Sequence, residues 1–202
     1  WSDALPMAAQ APYWDPSKSS AETYWRMKLS YTAPARRAGE ALLLVDPLDI
    51  GAKDRRAWSY LPGQRRVKVA PDFSFDTPNP GTAGGNTFDD VFIFNGSMDR
   101  YDFKLVGKKE MLVPYNAYAA VYGAKQDELL KPHFLNPDLV RWELHRVWVV
   151  EATLREGKRH VYGKRTFYLD EDSWAALASD EYDARGQIYR AGFAYMAPSY
   201  DL

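Results

Sequence analysis

Apolar and polar residues alternate with a period of two through much of the chain, most clearly over residues 139–196. The first run sets Val140, Trp142, Leu144, Trp148, Val150, Ala152 and Leu154 against Arg141, Glu143, His145, Glu151, Thr153 and Arg155. Successive side chains of a strand point to opposite faces, so this pattern predicts a half-buried strand. It breaks at Arg155-Glu156-Gly157-Lys158, where Gly157 supplies the positive φ of a tight hairpin. Strands over 161–169, 174–182 and 187–196 follow, separated by polar turns at 170–173 and 183–186. Upstream, 23–31 and 40–45 predict strands joined by a turn at 33–39. Residues 55–61 and 65–69 predict a hairpin about Leu61-Pro62-Gly63-Gln64, whose central Pro-Gly matches a type II turn. Residues 101–113 predict strand structure on both sides of a hairpin turn at Gly107-Lys108-Lys109.

Helical signals are few. Thr87 stands as an N-cap before Phe88, Val91 and Phe92 at i, i+3 and i+4, which predicts a short amphipathic helix ending near Asn95-Gly96. Residues 126–130 add a helical turn, and Asn136-Pro137-Asp138 predicts a capped turn. A long Pro/Gly-rich loop covers 70–86 and a second irregular stretch runs from 114 to 137.

The fold class is therefore mainly β (α+β). A strand over residues 139–154 would span about 50 Å if straight, so it must twist and curl. The expected architecture is one large curved antiparallel sheet or half-barrel, with a few short helices forming a lid. Pro6, Pro12 and Pro16 make residues 1–22 an irregular extension, leaving 23–202 as a single domain.

Composition narrows the function more by exclusion than by indication. The 26 basic and 27 acidic residues give a net charge of -1, which argues against a nucleic-acid partner. Cysteine is absent, so thiolate catalysis and cysteine metal sites are excluded. No apolar run approaches the roughly 18 residues of a transmembrane helix. The chain opens Trp1-Ser2-Asp3, without the ordered regions of a signal peptide. Aromatic residues reach 15%, a surplus concentrated on the long strands.

Candidate chemistry is sparse. His133, His145 and His160 lack partners at metal-ligand spacing, so neither a metal nor a histidine-based reaction is expected. The carboxylate groups Asp89/Asp90, Asp170/Glu171/Asp172 and Asp180/Glu181 read as helix-start, turn and strand features rather than as a glycosidase pair. No nucleophile elbow, phosphate loop or dinucleotide fingerprint occurs, and no cofactor is indicated. Arg55, Arg56, Arg65, Arg66 and Lys68 cluster about the first hairpin, fitting either an anionic partner or a solvated hairpin protected against edge pairing. A curved sheet with little helical cover leaves an apolar concavity. Phe88, Val91 and Phe92 are placed over it as a lid, and Trp142, Leu144 and Trp148 line either it or a helix-packing face.

Several motifs carry a family resemblance. They are Tyr60-Leu61-Pro62-Gly63-Gln64-Arg65-Arg66-Val67, the stretch from Asp99-Arg100-Tyr101-Asp102-Phe103 to Glu110, and Val113-Pro114-Tyr115-Asn116. Arg141-Trp142-Glu143-Leu144-His145-Arg146-Val147-Trp148, Phe167-Tyr168-Leu169-Asp170-Glu171-Asp172-Ser173-Trp174 and Tyr182-Asp183-Ala184-Arg185-Gly186-Gln187 complete the set. Together, over about residues 25–196, they resemble a Gram-negative domain-of-unknown-function family of outer-membrane-lipoprotein-sorting-like proteins, within the LolA/LolB superfamily. Members are longer and begin with a signal peptide, so the resemblance places this chain as a C-terminal portion. It implies a half-barrel over a hydrophobic cavity and a periplasmic or outer-membrane-associated location. It also implies traffic of hydrophobic molecules beside an RND-type exporter or an outer-membrane protein, and marks no catalytic residue. The expected function is a non-enzymatic envelope carrier or chaperone for a lipid, a lipoprotein acyl chain or another hydrophobic molecule. An envelope interaction or sensor module with a filled core, and a hydrolase acting on an envelope lipid or polysaccharide, stay open as alternatives.

Overall fold

A computed structural model describes residues 23–49, 53, 55–70, 75–79, 82–132 and 134–199. The predicted extension over 1–22, His133 and part of the 70–86 loop lie outside the described residues. Two antiparallel meanders account for the regular structure. The first has β1 (Thr23–Ser30), β2 (Ala41–Pro47), β3 (Arg56–Leu61) and β4 (Arg66–Val69) in the order β1-β2-β3-β4. The second has β5 (Tyr101–Pro114), β6 (Trp142–Leu154), β7 (Lys164–Asp170), β8 (Ala176–Tyr182) and β9 (Ile188–Phe193), also in chain order. Helical structure among the described residues is limited to α1 (Gln126–Leu129) and single turns. The mostly antiparallel β class is as expected, although the strands pair as two sheets instead of one. Residues up to Phe88 and from Asp89 onward form two compact units.

In the first unit, β2 is apolar at every position from Ala41 to Val45, so both of its faces need cover. On one face Leu42, Leu44 and Ala57 pack with Phe88. The other face carries Leu43, Trp58 and Val69 in register with Lys28. The β3–β4 connection is a single 3-10 turn over Pro62–Gln64 closed by Arg65 at φ 48°. Positive φ therefore falls on Arg65 instead of Gly63, and the expected type II turn does not form.

In the second unit, Gly157 adopts φ 77° in the predicted hairpin. The expected turn at Gly107 is absent. β5 runs through it as one strand, and the register slips between Leu105 and Gly107, a bulge that Gly107 accommodates at φ 154°. β6 changes its buried face along its length. Towards its end Val150, Ala152 and Leu154 pack with Ile93, Tyr101 and Phe167. Towards its start the opposite face is the covered one, where Val147 and Val149 pack with Val113, Tyr168 and Leu177.

The amphipathic helix expected over residues 88–92 is not formed. Phe92 and Ile93 take φ 56° and 72°, incompatible with a right-handed helix. Asn95 N–H donates to Asp89 O at 2.7 Å, closing a compact turn instead. Local spacing is outweighed here by charge: Asp89 and Asp90 are held by Arg165 of β7.

Candidate functional site

The expected lid residues have separate roles. Phe88 is buried in the core of the first unit, whereas Phe92 is 77% exposed and Val91 half-buried in the second. Trp142, Leu144 and Trp148 share one face of β6, with Trp142 and Leu144 exposed. Trp148 stacks on Trp174 at 6.3 Å, and Lys108 Nζ lies 3.9 Å from its ring centre. The five basic residues of the first hairpin do not form one patch. The Arg55 side chain is buried against Asp46, with Nε 2.5 Å from Oδ1, and the same carboxylate accepts from Trp25. Strand alternation sends Arg56 to the face of Trp58, and Arg66 and Lys68 to the opposite one, while Arg65 occupies the turn.

Among the described residues of the first unit, a pocket opens on each face of the sheet. A cavity of about 550 Å³ is lined by Lys28, Ala41, Leu43, Trp58, Tyr60 and Val67, and its walls are almost wholly apolar. Apart from Leu42, its residues come from four neighbouring strands at registers that put them on one face. The second, of about 600 Å³, is bordered by Tyr31, Arg37, Glu40, Ser59 and Phe88. Of the two arginines there, Arg36 and Arg37, the second is held by a carboxylate. Arg37 Nε pairs with Glu40 at 3.0 Å and its guanidinium lies 3.8 Å from the Tyr31 ring centre. The pair with Glu40 outweighs desolvation and holds the Arg37 pKa above its ordinary value. None of the residues of the apolar pocket figured as a site candidate in the sequence, whereas Phe88, expected in a lid, borders the second pocket. The signal was the unbroken apolar run of β2, which implies two covered faces.

A buried ion cluster dominates the second unit. Arg165, fully buried, donates from its two terminal nitrogens to Asp89 at 2.9 Å and Asp90 at 2.5 Å, and lies 3.8 Å from Glu181. His160 Nε2 is 3.0 Å from Asp89, and the Tyr162 hydroxyl donates to Asp90 at 2.8 Å. Burial works to lower the Arg165 pKa, but the facing carboxylates of Asp89 and Asp90 hold it above its ordinary value. Burial raises Glu181, against the opposing hydrogen bond from Ser179 and the charge of Arg165. Tyr162 is pushed up by burial and by Asp90. The carboxylates that converge here close on a guanidinium inside the core, the arrangement of a structural tie.

A second polar group gathers at the β7–β8 turn. His145 Nδ1 lies 2.8 Å from Asp170 Oδ1, its ring stacks on Tyr115 at 4.1 Å, and Asp172 brings a third ligand-type atom within 4.8 Å. Separation of 25 residues hid this grouping from sequence spacing. Asp170 also accepts from Ser173 N and Oγ at 2.9 and 2.6 Å and from the Tyr115 hydroxyl at 3.2 Å. Burial acts to raise its pKa, but these hydrogen bonds hold the carboxylate below the usual range. Its acceptor capacity is met by the turn it caps.

With this geometry in place, two solved structures define the class. A domain from Vibrio parahaemolyticus described as outer-membrane lipoprotein-sorting superposes with a TM-score of 0.53 at 18% identity, over 86% of this chain and 57% of that one. A DUF1329 family protein from Desulfovibrio piger gives 0.52 at 18% identity, over 82% and 55%. The likeness shows a fold that this chain shares with both. The chain belongs to the family described as protein of unknown function (DUF1329), which it matches over residues 3–202. It is 44% identical over 200 residues to the uncharacterised protein PA3922 of Pseudomonas aeruginosa, and spans 98% of this chain but 44% of that relative.

Proposed function

We propose that the protein is a non-enzymatic cell-envelope carrier or chaperone that holds a hydrophobic molecule on the four-stranded sheet. The observation that carries this reading is the apolar pocket of about 550 Å³ framed by Leu43, Trp58, Tyr60 and Val67. Its volume falls within the roughly 300–1,000 Å³ of small-molecule sites. Burial of an acyl chain supplies about 0.8 kcal/mol per methylene, so ten methylenes give roughly 8 kcal/mol before association costs. The likeness in fold to a domain described as outer-membrane lipoprotein-sorting supports a periplasmic or outer-membrane-associated setting, with cargo passing to or from an RND-type exporter or an outer-membrane protein. Organic extraction and native mass spectrometry of the purified protein should detect a co-purified lipid, and a fluorescent fatty acid should bind and be displaced. Absence of both bound lipid and fatty-acid uptake would refute the reading.

A further inference from the structure

The charges around the apolar pocket are all of one sign. The pocket face of the sheet alternates through Arg26, Lys28 and Ser30 on β1, Ala41, Leu43 and Val45 on β2, Arg56, Trp58 and Tyr60 on β3, and Val67 and Val69 on β4. Three cations and no carboxylate stand at these positions. Lys28 is exposed, lines the cavity, and has no carboxylate partner among the described residues. Arg56 likewise pairs with no carboxylate there, and its guanidinium lies 5.8 Å from the Trp58 ring centre. On the opposite face Glu40 stands among the lining residues and pairs with Arg37, so that pocket carries charges of both signs. An unmatched ammonium at the rim of an apolar slot supplies one anion-binding point beside a surface for hydrocarbon.

From this we infer that the pocket selects a single-chain amphiphile with an anionic carboxylate headgroup, its chain against Leu43, Trp58 and Val67 and its carboxylate at Lys28. This assignment rests on the carrier reading and adds the charge of the cargo to it. The rim cation is a lysine, a compact point charge with rotatable donors that suits a single carboxylate. A phosphate would draw on the bidentate fork of an arginine, and Arg56 is engaged with Trp58.

The test compares dodecanoate, dodecyl phosphate and dodecanol below their aggregation concentrations, by calorimetry or by displacement of a fluorescent fatty acid. Dodecanoate is expected to bind about tenfold more tightly than dodecanol, the worth of one charge-assisted contact. Lys28→Met should bring the ratio of dodecanoate to dodecanol affinity down to about one; an unaltered circular dichroism melt confirms that the variant is folded. Equal affinity of dodecanoate and dodecanol, a preference that survives in Lys28→Met, or tighter binding of dodecyl phosphate each overturns the assignment. If all three ligands fail to bind, the carrier reading falls with it. Sedimentation with phosphatidylglycerol vesicles, combined with no binding of monomeric dodecanoate, would assign the face to a membrane surface and overturn the proposal.

Discussion

Replacing Arg165 by methionine tests whether the buried ion cluster holds the second unit together. The guanidinium is fully buried and is shared by Asp89 and Asp90, with Glu181 at 3.8 Å. Its removal leaves the buried carboxylate of Asp89 and the half-buried one of Asp90 without their guanidinium. Loss of one partner from a buried pair costs about 3–5 kcal/mol, because the remaining charge is uncompensated. For a unit of this size each kcal/mol lowers the melting temperature by about 4 °C, so Arg165→Met should melt about 12–20 °C lower. Circular dichroism gives the melt. Amide exchange in β6 and β7 assigns the loss to this unit and not to the four-stranded sheet. A second variant combining Arg165→Met with Asp89→Asn and Asp90→Asn should recover most of the loss, since neutral groups carry no such penalty. The reasoning is refuted if Arg165→Met lies within about 1 kcal/mol of the parent, the ordinary range of a tolerated substitution.

Three further outcomes follow from the same geometry. Glu181 is raised by burial, so its contribution to stability is full below its unfolded pKa of about 4.3 and is lost as pH rises through the higher folded value. Glu181→Gln should therefore gain on the parent between about pH 4 and 7 in urea titrations; a gap that narrows with pH contradicts this. Asp170 has the opposite sign. Its pKa is lowered, so Asp170→Asn should be most destabilising at neutral pH and converge on the parent in acid, and a pH-independent deficit would count against it. Phe88→Ala should cost about 3–5 kcal/mol in the melt of the four-stranded unit, as a core truncation does. A normal melt with weakened ligand binding would restore Phe88 to a lid.

The strands were legible because period-two alternation is a local signal, and the turn at Gly157 followed from the backbone freedom that only glycine supplies. The misreadings share one cause: partners distant in sequence. Phe88, Val91 and Phe92 have helical spacing, yet Asp89 and Asp90 lie beneath the guanidinium of a strand 75 or more residues further on. Their charges read as helix-start anions when they were one half of an ion cluster. In β6, alternation identified two faces but not that burial moves from one to the other, which is why His145 became half-buried while Leu144 stayed exposed. The apolar pocket was legible in principle. A five-residue strand in which every position is apolar demands cover on both sides, as at Ala41–Val45.

Pairing between sequence neighbours also sets the order of assembly. Each strand of β5–β9 joins only the strand before or after it, and β6 to β9 are linked by short loops, the fast regime of chain collapse, while β5 reaches β6 over residues 115–141. The ties from Arg165 to Asp89 and Asp90 instead span 76 and 75 residues. They are expected to close last, after β7 has been fixed in the sheet. Pulse-labelled exchange should protect the amides of β6–β8 before those of Ile93 and Asn95, and the reverse order would contradict this. Contacts made after the rate-limiting step slow unfolding while leaving the folding rate nearly unchanged. The guanidinium buried beneath residues 89–93 thus acts mainly on the lifetime of the finished sheet.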